Sequence, residues 1–505
     1  MPAEAGAPPG MAYGLMFRMQ ERPRNPEHAW AGTIRIFIAE LLILPTGIAT
    51  VSFLTRKLGP HDFGVLALAS TLVVWLEVSL TVLYGKVTVK WVAEAEDWRH
   101  AGAMTMRLHL FTGLCAAALL FLLAPIVASS LHTPELAAVL RIYSLDIPLF
   151  ALGQAHRQIL VGLGAFTERA LVGAARWTSR MVLILAFVGA GLSLNGAVLG
   201  NIGASIAELL LARYYVQPPL YSGGRRRWPE FWAYVIPLSA FSMSMRLFDK
   251  LDLFLLKLMG CSAEVAGFYG AAQNLSILPS IFALSFSSLL ISTLARSLQR
   301  GETADATRLM RDTWRALLLL LPLASIIAGS ATEIVRLFFG KEFLPAGSQV
   351  AWLIFAAIGV AAISIHSSVL TVSQRPMWTL GLVGPVLLLS VPAYMAVIPT
   401  YGAVGAAAVT TAASVLGAAV TAAACYSLWR VLPPIGTVLR TVLISAAAWV
   451  VAAQWHTPGL TVVLKDCLLG VATMTAYAAT GEVRSEEFRA MRSLFQGRGG
   501  VEPGA

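Results

Sequence analysis

Charged side chains occur inside long apolar segments of this chain. A charge at the centre of a lipid bilayer costs about 2.5–3.5 kcal/mol on insertion scales, so residues of this kind are retained for a purpose. Arginine presents a planar fork of donors that matches phosphate oxygens, and lysine presents a compact positive charge. The candidates for binding an anionic substrate are Arg180, Arg246, Arg176, Arg157 and Lys250.

Acidic residues accompany these cations in the same apolar segments. They could order the arginine side chains, or they could take up protons or cations during a transport cycle. Ion pairs that only lock helices together, such as Arg180 with Asp146, are the structural alternative. Basic residues outnumber acidic ones across the charged segments, and this surplus favours an anionic ligand. The acidic candidates are Glu40, Glu77, Asp146, Asp249 and Asp252.

Two arginines lie near the centres of their segments. An α-helix rises about 1.5 Å per residue, which places Arg180 and Arg246 close to the bilayer midplane. From there neither side chain easily reaches a lipid headgroup, so each must face a partner or a water-filled cavity. Arg176 precedes Arg180 by one helical turn on the same face.

Composition identifies the elements that must position these residues. Of 505 residues, 57% are hydrophobic and 13% are charged, whereas soluble domains carry about 25% charged residues. Apolar runs of about 20 residues, the length that crosses a bilayer, recur along the chain. We therefore expect an all-α, polytopic membrane protein with about 14 spans. The predicted spans are 34–56, 63–84, 107–130, 138–163, 169–192, 195–216, 231–257, 265–295, 314–338, 350–373, 378–398, 401–429, 438–455 and 459–480.

Lysine and arginine are concentrated in alternate loops, and such loops face the cytoplasm. The asymmetry holds along the whole chain and accounts for the net charge of +10. It predicts a multi-pass protein with both termini in the cytoplasm. No basic groove interleaved with aromatic residues is present, so we expect no nucleic-acid partner.

An internal repeat divides the chain. LTRKLGPHDFGVLALAS (54–70) is matched by LLKLMGCSAEVAGFYGAA (255–272), and NGAVLGNIGAS (195–205) by YGAVGAAAVTTAAS (401–414). Two parallel six-helix lobes with two additional helices follow from this pattern. The predicted divisions are a cytoplasmic tail 1–33, an N-lobe 34–216, a basic loop 217–230, a C-lobe 231–429, extra helices 430–480 and a basic tail 481–505.

Catalytic and cofactor motifs are missing from the sequence. SGGRRR (222–227) follows no strand and lacks the GK[ST] signature of a phosphate-binding loop. No loop is long enough to fold as a catalytic domain. We expect neither enzymatic activity nor a cofactor or metal, and two homologous bundles without a catalytic domain indicate a transporter.

The motifs resemble a known family. FLTRKLGPHDFGVLALA (53–69), MRLFDKLDLFLLKLMG (245–260) and VAGFYGAAQNLSILP (265–279) are similar to segments of Wzx-like polysaccharide-export flippases. These belong to the multidrug/oligosaccharidyl-lipid/polysaccharide (MOP) superfamily. The resemblance implies a two-lobed fold with a cationic central cavity. It also implies a location in the bacterial inner membrane and export of undecaprenyl-pyrophosphate-linked oligosaccharides across it for exopolysaccharide, capsule or O-antigen (lipopolysaccharide) synthesis.

The expected partners are a lipid-linked oligosaccharide on a polyprenyl pyrophosphate and the surrounding membrane lipids. A polysaccharide polymerase and ligase are further candidate partners. Two alternatives within the superfamily are a flippase for lipid II, the peptidoglycan precursor, and a cation-coupled multidrug antiporter. The cationic surplus argues against the antiporter.

Overall fold

The structure of the protein is a computed structural model. It describes residues 35–36, 39–219, 250–277, 290, 294, 303–373, 375, 377–431 and 435–481. Helices dominate these residues, and no strand occurs among them. The predicted tail 1–33, all of the predicted tail 481–505 except its first residue, and most of the loop 217–230 lie outside the described residues.

The helices are numbered here in chain order. A π-helical segment, Val188–Leu192, joins the fifth helix to the sixth. The α-helices are α1 (Ile43–Glu94), α2 (Trp98–Ser130), α3 (Leu136–Tyr143), α4 (Asp146–Gly162), α5 (Phe166–Phe187), α6 (Ser193–Tyr215), α7 (Leu251–Leu258), α8 (Ala263–Leu275), α9 (Thr303–Gly329), α10 (Ala331–Phe339), α11 (Ala346–Val372), α12 (Met377–Trp429), α13 (Ile435–Gln454) and α14 (Thr461–Ala479).

Membrane-length helices confirm the expected all-α membrane fold. Among the described residues, nine helical segments are long and apolar enough to cross a bilayer, and three of these run for 43, 50 and 53 residues. Each of the three is interrupted by a glycine with positive φ, at Gly59 (72°), Gly191 (93°) and Gly402 (54°). Each can therefore hold two predicted spans. Spans 7 and 8 lie partly outside the described residues, so the count of fourteen stays a prediction.

The chain forms two compact units, Met1–Gly267 and Phe268–Ala505. In the N-terminal unit, α4 packs against α1, α2 and α6, while α5 lies along α6. In the C-terminal unit, α11 lies along α12, and α9 packs against α13. The boundary between the units falls within α8, later than the basic loop at which the sequence pattern divides the lobes. The two-lobe division stays a prediction.

Two glycines of the repeated motifs allow α1 and α8 to touch within the N-terminal unit. A Cβ atom added at Gly64 would lie 1.9 Å from the carbonyl oxygen of Ala263. A Cβ added at Gly267 would lie 2.1 Å from the carbonyl oxygen of Pro60. No side chain fits in either place, so both positions require glycine for the backbones to approach this closely.

Apolar and charged side chains are distributed inversely to those of a soluble protein. Leu122 and Leu388 are 72% and 65% exposed, whereas Asp146 and Glu208 are 1% and 0% exposed. An apolar exterior suits a lipid surrounding, because lipid tails are as apolar as leucine. The polar groups that could do chemistry therefore lie in the interior.

Candidate functional site

Polar residues follow one face of each of three adjacent helices in the N-terminal unit. An α-helix has about 3.6 residues per turn, so residues spaced by four, seven or eleven return to nearly the same face. The rows are Asp146, Gly153 and Arg157 on α4, Arg169, Arg176 and Arg180 on α5, and Asn201, Ser205 and Glu208 on α6. Together with Glu77 of α1, side chains from these rows form a buried cluster.

Glu208 lies at the centre of two ion pairs. Its Oε1 is 2.8 Å from Arg157 Nε, and its Oε2 is 2.8 Å from Arg176 Nη1. Arg176 Nη1 also donates a hydrogen bond to Ser205 Oγ at 2.9 Å. Gly153 makes room for the carboxylate, because a Cβ there would lie 3.1 Å from Glu208 Cδ. One acidic residue thus holds two arginines in place.

Arg180 has a different kind of partner. Its Nε donates a hydrogen bond to Asn201 Oδ1 at 2.8 Å, and Asn201 Nδ2 in turn donates to the carbonyl oxygen of Ala197 at 2.9 Å. Within the part of the chain that the structure describes, no carboxylate lies at ion-pair distance from Arg180. The side chain is only partly buried. Its charge is therefore less neutralised than that of Arg157 or Arg176.

Glu77 and Asp146 form a pair of carboxyl groups beside these arginines. They are 3% and 1% exposed, and Glu77 Oε1 and Asp146 Oδ1 are buried without a hydrogen-bond partner among the described residues. Both carboxyls lie in the electrostatic field of Arg176. The two buried carboxyls thus lie within the influence of the Arg176 ion pair.

Glu40 forms a more exposed ion pair at the start of α5. Its Oε1 is 2.8 Å from Arg169 Nη1, and its Oε2 accepts a hydrogen bond from Trp177 Nε1 at 3.2 Å. The side chains of Arg169 and Glu40 are 17% and 34% exposed. Glu40 therefore orders an arginine, as its sequence context allowed, although that arginine was not among the candidates.

The structure describes two of the four candidate residues around α7, Lys250 and Asp252. Arg246 and Asp249 lie outside the described residues. Lys250 immediately precedes α7, and Asp252 is buried in its first turn, where Oδ1 accepts a hydrogen bond from the backbone N–H of Leu253 at 2.8 Å. The structure thus brings together the candidates of spans 2, 4 and 5, and the roles of all ten candidates stay predictions.

Glu208 is the residue that the sequence interpretation missed. It lies within the sixth predicted span, and the rule that singles out charges in apolar segments applies to it equally. When Glu208 is included, the basic and acidic groups of the cluster are equal in number. The cluster contains three guanidinium groups, of Arg157, Arg176 and Arg180, and three carboxyl groups, of Glu77, Asp146 and Glu208.

The C-terminal unit contains a second buried ion pair that the sequence interpretation omitted. Lys465 of α14 pairs with Glu333 of α10 and donates hydrogen bonds to the carbonyl oxygens of Ala452 and Trp455 at 3.2 and 3.0 Å. Glu333 Oε1 accepts from the backbone N–H of Thr457 at 2.8 Å. All of these groups are intramolecular partners, so the contacts fix α13 and α14 to α10.

Comparison with known proteins bears on the N-terminal unit in particular. The family model for polysaccharide biosynthesis proteins matches residues 29–298, more than half of the chain and all of the buried cluster. A curated relative, the succinoglycan biosynthesis transport protein ExoT of Rhizobium meliloti (strain 1021), is 27% identical over 307 residues. That match covers 58% of this chain and 59% of ExoT, so the chain spans about three fifths of the relative's length.

Solved structures share the fold across most of the chain. The lipid II flippase MurJ in an inward closed conformation matches with a TM-score of 0.70 and 16% identity, over 89% of this chain and 98% of MurJ. The Vibrio cholerae MATE transporter VcmN matches with a TM-score of 0.58 and 14% identity, over 80% of this chain and 97% of VcmN. An inward-facing MATE family transporter of the MOP superfamily has a TM-score of 0.54 and 13% identity, over 86% of this chain and 98% of its own. The chain therefore belongs to the polysaccharide biosynthesis protein family and has the fold of the MOP transporters.

Proposed function

We propose that this protein is a flippase that translocates undecaprenyl-pyrophosphate-linked oligosaccharide units across the inner membrane. The units would serve exopolysaccharide, capsule or O-antigen synthesis. The observation that carries the proposal is the buried cluster, in which Glu208 orders two arginines while Arg180 keeps an incompletely neutralised charge. The cluster lies wholly inside the segment matched by the polysaccharide biosynthesis family.

Arg180 is the residue that contacts the pyrophosphate in this proposal. A guanidinium group offers two parallel donors to phosphate oxygens, and releasing one bond to the Asn201 amide costs less than breaking an ion pair. Arg157 and Arg176 add positive potential from fixed positions. The polar head group moves through the protein interior while the prenyl tail stays in lipid, and no covalent bond is made or broken.

Movement of the cargo follows alternating access. The cluster opens first to the cytoplasm and then to the periplasm, with both termini on the cytoplasmic side. Arg246 and Lys250 are assigned to a later contact with the same anion. Asp249 and Asp252 are assigned to ordering these cations or to taking up protons or cations. A polymerase and a ligase act on the glycan after it has crossed.

The test is a deletion strain in which lipid-linked oligosaccharides are quantified by mass in each leaflet. Loss of the protein should leave units facing the cytoplasm, and the wild-type gene should restore their export. Arg180→Ala should insert normally and lower export at least about tenfold, equivalent to about 1.4 kcal/mol. Arg180→Lys should retain part of the activity, because the charge remains and the fork is lost.

Arg141→Ala is the matched control. Arg141 belongs to the same unit, but its side chain is exposed and lies over the Phe121 ring at 5.3 Å. It should export normally. Units that reach the periplasm unhindered in the deletion strain would refute the proposal. Accumulation of lipid II would instead identify a peptidoglycan-precursor flippase, and drug sensitivity without glycan accumulation would identify an antiporter.

A further inference from the structure

Two exposed arginines lie close to each other at one end of the C-terminal unit. Arg375 lies between α11 and α12, and Arg430 directly follows α12. A hydrogen bond of 3.1 Å from Trp429 Nε1 to Ser373 Oγ joins these two segments of the chain. It connects the residue before Arg430 to a residue two positions before Arg375. Both arginines therefore belong to the same surface of this unit.

Each of these arginines lies over an aromatic ring. Arg375 Cζ is 4.7 Å from the centroid of the Trp378 ring, and Arg430 Cζ is 5.5 Å from the centroid of the Tyr426 ring. Trp378 in turn packs against the buried apolar cluster that contains Leu370. An aromatic ring has no net charge, so the contact positions a guanidinium group without neutralising it. Less conformational entropy is then lost when the group binds an anion.

The two guanidinium groups carry positive charges that no acidic side chain balances. Within the part of the chain that the structure describes, neither Arg375 nor Arg430 has a carboxylate at ion-pair distance. The carboxylates of this unit that form ion pairs there are bound to Arg315 and Lys465 instead. The surface thus offers two oriented cations to a partner outside the protein.

The chemistry of this surface matches a lipid headgroup. Arg375 and Arg430 belong to the basic loops that are predicted to face the cytoplasm, and tryptophan and tyrosine are enriched at the level of the headgroups. A phosphodiester at that level fits the planar fork of a guanidinium group. Met377, next to Trp378 in the chain, is 64% exposed and offers apolar surface to an acyl chain. A free phosphate ion would leave that apolar surface uncovered.

We propose that Arg375 and Arg430 form a binding site for the headgroup phosphate of an anionic phospholipid in the cytoplasmic leaflet. Trp378 and Tyr426 position the two cations, and the acyl chains stay in the bilayer beside Met377. The contact is non-covalent. It involves only the C-terminal unit and a constituent of the membrane, so it does not depend on the cargo assigned under the proposed function.

Native mass spectrometry of the purified full-length protein tests the site. The protein is released from detergent in the presence of phosphatidylglycerol, which is anionic, or phosphatidylcholine, which has no net charge. Counting the bound lipids gives a dissociation constant for each. The wild type should bind phosphatidylglycerol about tenfold more tightly than phosphatidylcholine. Arg375→Gln and Arg430→Gln should each weaken phosphatidylglycerol binding about fivefold. Equal affinity of the wild type for the two lipids would overturn the site.

Arg311→Gln is the matched control for the loss of one charge. Arg311 is an exposed arginine of α9 that has neither a carboxylate partner nor a ring contact within the described ranges. Its substitution should weaken phosphatidylglycerol binding much less than Arg430→Gln does. An equal loss would indicate diffuse attraction to all basic loops and would overturn a defined site. Tyr426→Leu keeps the charge of Arg430, removes the ring and should weaken binding about threefold. Unchanged binding would overturn the positioning role of the ring.

Two further probes distinguish a phospholipid from other sources of phosphate. Farnesyl pyrophosphate should bind equally to the wild type and to Arg430→Gln, whereas a loss as large as that for phosphatidylglycerol would assign the surface to a pyrophosphate lipid. Inorganic phosphate should not displace phosphatidylglycerol at equal concentration, and displacement would assign it to free phosphate. Either result would overturn the phospholipid assignment. If Arg430→Gln does not fold, Arg430→Lys keeps the charge, removes the fork and should still weaken phosphatidylglycerol binding.

Discussion

Arg176 Nη1 lies 2.8 Å from Glu208 Oε2, and both side chains are buried in the N-terminal unit. The guanidinium of Arg176 also lies over the Phe150 ring, with Cζ 4.5 Å from the ring centroid. An aromatic face and a carboxylate thus hold the same cation from different directions. The second oxygen of Glu208 contacts Arg157, so loss of this single carboxylate would affect two helices at once.

Glu208→Gln should destabilise the protein strongly. The substitution preserves shape but leaves two buried guanidinium groups without their counter-charge, and breaking a buried ion pair in this way costs about 3–5 kcal/mol. Thermal unfolding of the purified protein in detergent measures the effect. Glu264→Gln, at an exposed position, should leave the midpoint unchanged. An unchanged midpoint for Glu208→Gln would contradict the central role of this carboxylate.

Asn201→Asp should weaken anion binding while preserving the fold. The new carboxylate would lie at hydrogen-bond distance from Arg180 and would neutralise it, so binding of farnesyl pyrophosphate should weaken by about tenfold or more. Asn274→Asp is the control, because the exposed Asn274 makes the same type of hydrogen bond to a carbonyl four residues earlier, in Gly270, at 2.8 Å. Equal affinity in both variants would argue against Arg180 as the ligand contact.

Gly64→Ala should destabilise the contact between α1 and α8. The added methyl group would collide with the backbone carbonyl of Ala263, and overpacking of this kind costs about 1–3 kcal/mol. Gly47→Ala should instead stabilise the protein, because nothing lies within 4 Å of the added atom and alanine favours a helix by up to about 1 kcal/mol over glycine. The two unfolding midpoints should move in opposite directions, and a parallel shift would refute the close packing.

Lys465→Met should destabilise the C-terminal unit, because Glu333 would lose its counter-charge in a site where the lysine side chain is fully buried. The expected loss is about 3–5 kcal/mol. The double variant Glu333→Gln with Lys465→Met should recover part of it, since no unpaired charge remains. Lys341→Met, at an exposed position, is the control in the same denaturation series. A double variant less stable than Lys465→Met would contradict the explanation that the unpaired charge of Glu333 causes the loss of stability.

Much of the architecture could be predicted from the sequence because membrane helices leave a strong compositional signal. Apolar runs located the helices, whereas the structure revealed the positive φ of Gly59 and the close backbone contact at Gly64 within a repeated motif. The charges in those runs led to Arg157, Arg176, Arg180, Glu77 and Asp146, which the structure places in one cluster. A single charged residue in an apolar segment is conspicuous whatever the tertiary fold.

Pairing within the cluster could not be predicted. The sequence offered Asp146 as the partner of Arg180, but the hydrogen bond goes to the neutral Asn201. Which residues meet depends on which helix faces are packed together, and span-by-span hydropathy carries no such information. Glu208 was omitted although it fulfils the criterion for a buried charge. The row of Asn201, Ser205 and Glu208 on one face of α6 was the signal that could have revealed it.

The arginine row of α5 also constrains how the protein is made. α5 carries three arginines and one acidic residue, whereas the partner carboxylate for Arg176 is supplied by α6, after the five-residue segment Val188–Leu192. Inserted alone, α5 would place unpaired cations in lipid at about 2.5–3.5 kcal/mol for each residue near the centre. We therefore expect α5 and α6 to leave the translocon together as a helical hairpin, so that Arg176 is already paired with Glu208 when the hairpin meets the bilayer.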